Sequence, residues 1–342
     1  MTNDSKQYFS DLVAQFEEFL FSELKHFLHT GNHPEELYEP MYYALSQGGK
    51  RLRPCFAVAA SRIFGFGKEK QCIWFTATAL ELFHNFTLIH DDVMDHSDMR
   101  HGAPSVVAKY GLSAAILSGD AMFALAFHLL TEAQKGLSPE VKSEVMQTFS
   151  QMSVAIMEGQ QYDINFQSRS DTSLSDYIHM IRLKTAELLA TALKMGALIG
   201  GATPQAADLL YQSGIQIGLA FQLRDDHLDV YGSTDVFGKP IGGDIAENKQ
   251  TWLLLSAKEK SAALSDKALE KALTCNNREE KIERVKAIYD QFHLADEIDA
   301  EIATYTHQAL LLLGEVERIS SVDKEALAAL KDLYNRLASR AF

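Results

Sequence analysis

Two copies of the pattern Asp-Asp-x-x-Asp are the clearest sign of chemistry in this sequence. Their six aspartates are Asp91, Asp92 and Asp95 in the first copy and Asp225, Asp226 and Asp229 in the second. In each copy the first and last aspartates are four residues apart, so on a helix their carboxylates share one face. Carboxylates clustered in this way repel one another, and they suit Mg²⁺, a hard cation often shared with substrate phosphates. The pattern therefore predicts magnesium binding at both copies.

Apolar residues precede each copy along the chain. One apolar run covers Leu82 to Ile89 and the other covers Ile215 to Leu223. The aspartates are therefore expected at the ends of buried helices. Two such ends could face one another across a cavity in a helical bundle and hold a diphosphate between them.

Cationic residues offer a second half of a phosphate site. The run Gly48 to Pro54 puts three cations beside a Gly-Gly turn, where arginine supplies a bidentate fork and lysine a point charge. The other cations that could reach the same phosphates are Arg100, Lys184, Lys239 and Lys249. In a chain of net charge −14, a phosphate must be held by such local clusters or by metal ions. The same charge, with no basic stripe, excludes nucleic acid as a partner.

The elements that must position these residues are helices. Apolar residues recur at three- and four-residue steps in most of the chain, with no strong strand pattern and no internal repeat. The predicted helices cover Phe9 to Leu24, Ile73 to His96, Ser113 to Gln134, Glu140 to Gln161, Ser175 to Ile199, Pro204 to Tyr231, Lys281 to Leu313 and Lys324 to Ser339. The sequence predicts an all-α fold, a single bundle of roughly ten or more helices in one domain, residues 1–342.

The chain has the composition of a soluble globular protein. Its hydrophobic content is 46% and its charged content is 23%. No signal-peptide pattern is visible at the N-terminus, and the apolar segments Leu112 to Leu130 and Ala186 to Ala202 carry charges that disfavour membrane insertion. Three cysteines without metal-ligand spacing favour reduced thiols. We therefore expect no transmembrane segment and a cytoplasmic location.

Six motifs, in this order, resemble those of the trans-type polyprenyl (isoprenyl) diphosphate synthases, and in particular the short-chain geranylgeranyl and farnesyl diphosphate synthases. The motifs are GGKRLRP at 48–54, HDDVMDHSDMRHG at 90–102, GQQYD at 159–163, the pair Lys184-Thr185, FQLRDDHLD at 221–229 and GKPIGGDIAENK at 238–249. The resemblance implies an isoprenoid synthase bundle with a central cavity, acting as a homodimer. It also implies a prenyltransferase that condenses isopentenyl diphosphate head to tail with dimethylallyl, geranyl or farnesyl diphosphate.

The resemblance implies a role for each matching residue. Three Mg²⁺ ions would be held by Asp91, Asp92, Asp95 and Asp225, with support from Asp226 and Asp229. The allylic diphosphate would be contacted by Arg100, Lys184 and Lys239, with Lys249 nearby. Isopentenyl diphosphate would be bound by Lys50, Arg53 and His84. The place where the allylic cation forms would be lined by Thr185 and Gln222, beside Lys184.

One residue departs from the family pattern. Members usually have two arginines before the glycine of the first aspartate motif, whereas this chain has Arg100 and His101. The second arginine helps to bind isopentenyl diphosphate in the family. A neutral histidine donates one hydrogen bond and only a protonated one keeps the charge, so we expect weaker affinity for that substrate. An unchanged Michaelis constant for isopentenyl diphosphate in the His101→Arg variant would refute this hypothesis.

Product length is expected to depend on side chains below the first motif. At 1.5 Å per residue, Phe86 and Phe83 lie roughly 7 and 12 Å down the helix from Asp91. By the family's rule, an aromatic residue five positions before the first aspartate restricts the product to short chains, and Phe86 holds that position. Thr87 is smaller than the second aromatic residue of many C15 synthases. The sequence therefore favours a C20 product, with C15 close behind.

Three other functions are compatible with part of the same set of residues. A class I terpene cyclase also uses Asp-Asp-x-x-Asp, but its second metal motif generally carries Asn, Ser or Thr and Glu. A His-Asp metal phosphohydrolase fits His90 and Asp91 superficially and would ignore the second motif. A non-catalytic subunit of a heteromeric synthase is favoured only by His101, and the intact aspartates argue against it.

Overall fold

The computed structural model describes residues 3–29, 34–65, 71–232 and 241–339, and within them the chain is almost entirely helical. The helices are α1 (Asn3–His29), α2 (Glu35–Ser46), α3 (Leu52–Ile63), α4 (Gln71–Met94), α5 (Val106–Tyr110), α6 (Leu112–Ala133), α7 (Pro139–Phe166), α8 (Leu174–Ile181), α9 (Glu187–Gly200), α10 (Pro204–Tyr231), α11 (Gly243–Ala246), α12 (Trp252–Ala263), α13 (Ala268–Leu273), α14 (Arg278–Gln291), α15 (Leu294–Ile319) and α16 (Lys324–Ser339). The prediction of an all-α fold is confirmed.

The bounds of two helices, α10 and α16, coincide with the sequence prediction. Two other predicted helices are interrupted. A π-helical turn, Arg182–Ala186, separates α8 from α9, and a break at His293, with φ of 56°, separates α14 from α15. Both interruptions leave the spacing of apolar residues nearly helical, which is why the periodicity did not reveal them.

The chain divides into two compact units, each built from several segments. Unit 1 comprises Met1–Ser150, Thr191–Tyr211 and Val316–Leu330, and unit 2 comprises Gln151–Ala190, Gln212–Glu315 and Lys331–Phe342. The single domain of residues 1–342 stays a prediction.

In unit 1, α4 packs against α3 and α6, and its side chains from Ile73 to Ile89 are mostly buried. The last part of α9 lies directly on α3. A Cβ atom added at Gly196 would come within 2.0 Å of the Ala57 carbonyl oxygen, and one at Gly200 within 2.6 Å of the Ser61 carbonyl oxygen. Glycine at both positions therefore lets the two backbones touch.

A short hairpin follows α4 in the same unit. Its strands, β1 (Met99–Arg100) and β2 (Ala103–Pro104), pair antiparallel across a turn at His101 and Gly102, whose φ angles are 50° and 78°. Two positive φ angles are typical of a type I′ hairpin turn. The sequence analysis predicted no strand, because two-residue strands are too short to show alternation. The Tyr43 hydroxyl donates to the Pro104 carbonyl oxygen (2.7 Å) and fixes the hairpin to α2.

In unit 2, two glycines surround the π-helical turn. A Cβ at Gly159 of α7 would lie 2.5 Å from the Lys184 backbone nitrogen, and one at Gly218 of α10 would lie 2.5 Å from the Ala186 Cα. Backbone atoms cannot yield as a flexible side-chain end does. The two glycines therefore fix the place of the turn that carries Lys184 and Thr185.

Two described helices, α4 and α6, are long and apolar enough to cross a membrane by length and composition alone. In the most apolar stretch of α4, 78% of the stretch is buried, as in a core helix. In the corresponding stretch of α6, the buried share is 39%. The exposed apolar side chains at the start of α6 are Leu112, Ile116 and Leu117.

Candidate active site

The first aspartate copy lies at the end of α4. The Asp95 backbone N–H donates to the Asp91 carbonyl oxygen (2.8 Å), so the helical turn continues past Met94. This keeps Asp91 and Asp95 one turn apart, with Asp91 half-buried and Asp95 exposed. Asp92 is buried, and the Arg100 guanidinium donates to it from Nη2 (2.6 Å) and Nε (3.1 Å). The hairpin therefore returns Arg100 to the motif, where it pairs with a carboxylate.

The cations of the loop before α3 have different environments. Arg51 is buried and pairs with Glu81 (2.7 Å) and Glu17 (3.1 Å), which holds the loop to α4 and α1. Lys50 is exposed. Arg53 is half-buried, and its Nε atom is buried with no hydrogen-bond partner among the described residues. A buried donor of this kind needs an acceptor, and a bound anion would provide one.

Positive charge surrounds His84. Burial lowers the pKa of His84 well below its usual value, and the charges of Arg53, Arg100 and His101 lower it further. The imidazole is therefore neutral at physiological pH. Three residues predicted to bind phosphates lie around this fourth one in unit 1, where they make an electropositive region that suits a diphosphate. The pocket beside Arg100 and His101 is also lined by Gln47 and Asn85, which the sequence analysis did not single out.

Aromatic side chains lie below the first motif, as predicted. Phe86 is 7% exposed, and its ring contacts the His90 ring (centroids 4.7 Å apart) and the Phe123 ring (5.2 Å, stacked). Phe83 is fully buried and contacts Phe86, Phe123 and Phe149. Thr87 is half-buried, and its hydroxyl donates to the His84 carbonyl oxygen (2.7 Å). Sequence reasoning missed Phe123, although the spacing of Phe123 and Phe127 put both on one face of a predicted helix.

The second aspartate copy lies in the last turns of α10, in unit 2. Asp226 is buried and accepts hydrogen bonds from the Tyr177 hydroxyl, from Gln222 Nε2 (3.2 Å) and from the Trp252 N–H (3.4 Å). Asp229 accepts from the Asp244 N–H (3.0 Å).

The carboxylates of this copy lie in a buried environment that also holds negative charge. Burial and, to a smaller extent, the nearby charge of Asp244 raise the pKa of Asp226 to about 7 and that of Asp229 to about 6. Hydrogen bonds oppose the shift in each case, from Tyr177 and Gln222 to Asp226 and from backbone N–H groups to Asp229. A divalent cation would relieve this repulsion.

The π-helical turn presents two predicted catalytic residues. Lys184 Nζ donates to Asp163 (2.5 Å), and the Thr185 hydroxyl donates to Gln222 Oε1 (3.0 Å). Asp163 belongs to the motif GQQYD, but the sequence analysis gave it no role. Lys249 is exposed, with its Nζ 3.6 Å from Asp244. Lys239 lies outside the described residues.

The donor chemistry of both aspartate copies fits Mg²⁺. Within residues 3–29, 34–65, 71–232 and 241–339, no three His, Cys, Asp or Glu side chains are grouped so as to hold an ion by themselves. Mg²⁺ seldom needs such a cage, because it is usually bound by one or two carboxylates with phosphate oxygens and water. Asp91 with Asp95, and Asp225 beside its crowded neighbours, offer that partial set.

The model of the polyprenyl synthetase family matches residues 34–292, which contain every predicted site residue. The chain belongs to the polyprenyl synthetase family. This confirms both the resemblance noted in the sequence and the prediction of a prenyltransferase.

Relatives within the family differ in the product that their names give. The chain is 38% identical to the geranylgeranyl diphosphate synthase of Sulfolobus acidocaldarius, over 78% of each chain. It is 31% identical to the geranylfarnesyl diphosphate synthase of Aeropyrum pernix, over 87% of this chain and 93% of that one. Its fold is similar to the crystal structure of the geranylgeranyl pyrophosphate synthase of Corynebacterium glutamicum complexed with isoprenyl diphosphate and magnesium. The TM-score is 0.82 at 29% identity, with 97% of this chain and 98% of that one covered.

Proposed function

We propose that this chain is a magnesium-dependent short-chain prenyl diphosphate synthase. It condenses isopentenyl diphosphate with dimethylallyl, geranyl or farnesyl diphosphate and releases mainly the C20 product, with C15 next. The observation that carries the proposal is that a polyprenyl synthetase family member has both carboxylate-rich helix ends, with Arg53 and Arg100 close to His84 in the unit of the first copy. Relatives named for C20 and C25 products support a short chain.

The aspartates and cations act on the allylic diphosphate. We assign three Mg²⁺ ions to Asp91, Asp92, Asp95 and Asp225, with Asp226 and Asp229 in support. When bound, Mg²⁺ neutralises the charge that develops on the leaving diphosphate. Arg100, Lys184 and Lys239 contact the same diphosphate, and Lys249 adds positive charge. These interactions strengthen as the C–O bond breaks, so they stabilise the transition state more than the ground state.

Thr185 and Gln222 act on the carbon end of the same substrate. The C–O bond breaks with its electron pair on the diphosphate oxygen and leaves an allylic cation. Hydroxyl and amide oxygens stabilise that cation as fixed dipoles without trapping it. Lys50, Arg53 and His84 hold isopentenyl diphosphate, whose double bond supplies the electrons of the new C–C bond. The proton lost in the last step goes to the departing diphosphate.

A terpene cyclase is the alternative that one experiment distinguishes from the proposed synthase. The purified chain is given Mg²⁺ and farnesyl diphosphate, with and without labelled isopentenyl diphosphate. We expect a labelled prenyl diphosphate that forms only with both substrates and is lost when the metal is chelated. A hydrocarbon made from farnesyl diphosphate alone would identify a cyclase. No product from the chain alone would favour a non-catalytic subunit.

The exposed face of α6 supports the proposal of a homodimer. Leu112, Ile116 and Leu117 are each more than one third exposed at the start of this helix. Contiguous exposed apolar side chains mark interaction surfaces. A second copy of the chain would cover them, and such a dimer would reside in the cytoplasm.

A further inference from the structure

A chain of buried and partly buried hydrogen bonds in unit 2 ends at the residue proposed to face the allylic cation. The Tyr177 hydroxyl donates to Asp226 Oδ2, Gln222 Nε2 donates to Asp226 Oδ1 (3.2 Å), and the Thr185 hydroxyl donates to Gln222 Oε1 (3.0 Å). Tyr177 and Asp226 are buried. Sequence reasoning assigned Gln222 and Thr185 to the reaction but said nothing of Tyr177.

The hydrogen bond from Tyr177 to Asp226 determines which groups donate and accept in the other hydrogen bonds of the series. A phenol hydroxyl and a backbone N–H, that of Trp252, both donate to Asp226 Oδ2, which turns Oδ1 toward Gln222. Gln222 donates from its NH₂ group to Asp226 Oδ1, so its carbonyl oxygen is the group that faces the Thr185 hydroxyl. The only hydroxyl proton of Thr185 is then used in this bond. What Thr185 offers in any other direction is a pair of lone pairs.

We propose that Tyr177 is a positioning residue for the prenyl transfer, acting through Asp226 and Gln222 to fix the Thr185 hydroxyl as an acceptor. The proposal rests on the proposed function, because it needs an allylic cation for Thr185 to stabilise. An acceptor oxygen attracts a developing cation, whereas an O–H or N–H hydrogen pointed at it repels it. A fixed dipole also costs no reorganisation at the moment of reaction.

The dipole acts on the cation and not on the bound diphosphates. Loss of the Tyr177 hydroxyl frees the Asp226 carboxyl group to rotate, and Gln222 and Thr185 then lose their single orientation. We therefore expect a lower kcat with an unchanged KM for isopentenyl diphosphate, since an interaction made only in the transition state has been removed.

The Tyr177→Phe variant tests this, with Tyr334→Phe as its matched control. Tyr334 is also buried in unit 2, and its hydroxyl lies 2.9 Å from Ser213 Oγ, so the control removes a comparable buried hydrogen bond. We expect kcat to fall by a factor of about 10 or more in Tyr177→Phe, less than the roughly 100- to 1,000-fold loss for a donor that touches the reacting group, because Tyr177 acts through two other residues. The control should keep the wild-type kcat. Both variants are assayed at a temperature at which circular dichroism shows them folded.

A double variant separates positioning from packing. In the Thr185→Val background the hydroxyl that Tyr177 orients is gone, so adding Tyr177→Phe should lower kcat no further. Equal falls in the two backgrounds would overturn the proposal, as would an unchanged kcat in Tyr177→Phe alone. A Tyr177→Phe chain that fails to fold while Tyr334→Phe folds would also overturn it, because the hydroxyl would then serve stability. If the wild-type chain makes no prenyl diphosphate, the proposed function itself has failed.

Discussion

Phe86 is the side chain that the proposed product length depends on most. Its ring contacts both the Phe123 ring and the His90 ring, and these contacts restrict its movement. Gly119 contributes to this arrangement, since a Cβ there would lie 2.4 Å from the His90 ring. The position of Phe86 followed from the sequence, and His90 lies one turn later on the same helix, but the contact with Phe123 did not follow, because it joins two different helices.

Replacement of Phe86 by alanine should lengthen the product beyond C20. The change removes the ring proposed to limit product length and should also cost about 3–5 kcal/mol of stability, as for other buried phenylalanines. Chromatography of the reaction products measures the shift. Phe16→Ala is the control, because Phe16 of α1 is fully buried outside the aromatic cluster. Unchanged product length in Phe86→Ala would contradict the assignment.

Single residues of the motifs were only partly predictable. The motifs Asp-Asp-x-x-Asp and Gly-Gly-Lys-Arg-Leu-Arg-Pro predicted which groups bind metal and phosphate, because residues at these short spacings lie close together. They did not predict the different environment of each residue within a motif. Arg51 binds Glu81 inside the protein while Lys50 is exposed, and Asp92 and Asp226 are hydrogen-bonded by other side chains. The most distant of these hydrogen-bond partners is Tyr177, which lies 49 residues from Asp226 along the chain, beyond any local pattern.

At the scale of elements, the π-helical turn between α8 and α9 positions two of the proposed catalytic residues in unit 2. Helical periodicity predicted one continuous helix there, because a single wide turn adds one residue without disturbing the apolar face much. Lys184 and Thr185 lie in that turn, and Gly159 and Gly218 pack against its backbone. Turns of this kind occur frequently at functional sites.

A Gly159→Ala variant should lower activity strongly. The added Cβ meets the Lys184 backbone nitrogen at 2.5 Å, so α7 or the turn must move, and a displacement of about 1 Å can cost roughly 100-fold in rate. Gly314→Ala is the matched control, since Gly314 is also inside a helix and no atom lies within 4 Å of its added Cβ. It should keep full activity and gain up to about 1 kcal/mol of stability. Steady-state kinetics and thermal unfolding measure both; full activity in Gly159→Ala would contradict this role for the glycine.

For the whole molecule, the net charge of −14 repels the proposed diphosphate substrates, so their binding must depend on local clusters of positive charge. Composition and periodicity were sufficient to predict the all-α class, because helices of this length carry their pattern in every turn. They did not predict the division into two compact units, which arises from contacts between distant segments.

The proposed homodimer predicts that a charge on the exposed face of α6 produces monomers. Leu117 is 59% exposed, and Leu117→Glu would bury a carboxylate in the interface. Leu264→Glu is the control, because Leu264 is 67% exposed beyond the end of α12. Sedimentation velocity should show a dimer for the wild type and the control and a monomer for Leu117→Glu. A wild type that sediments as a monomer at micromolar concentration would contradict the proposal.

The length of the product made by the purified chain tests the central claim most directly. Mg²⁺ and isopentenyl diphosphate are supplied with dimethylallyl, geranyl or farnesyl diphosphate in turn, and the products are separated by chain length after removal of the diphosphate. We predict that all three starters lead to prenyl diphosphates with C20 as the main product, and that C15 is next with the dimethylallyl and geranyl starters. Hydrocarbon products, no incorporation of isopentenyl diphosphate, or mainly C30 and longer chains would contradict the account.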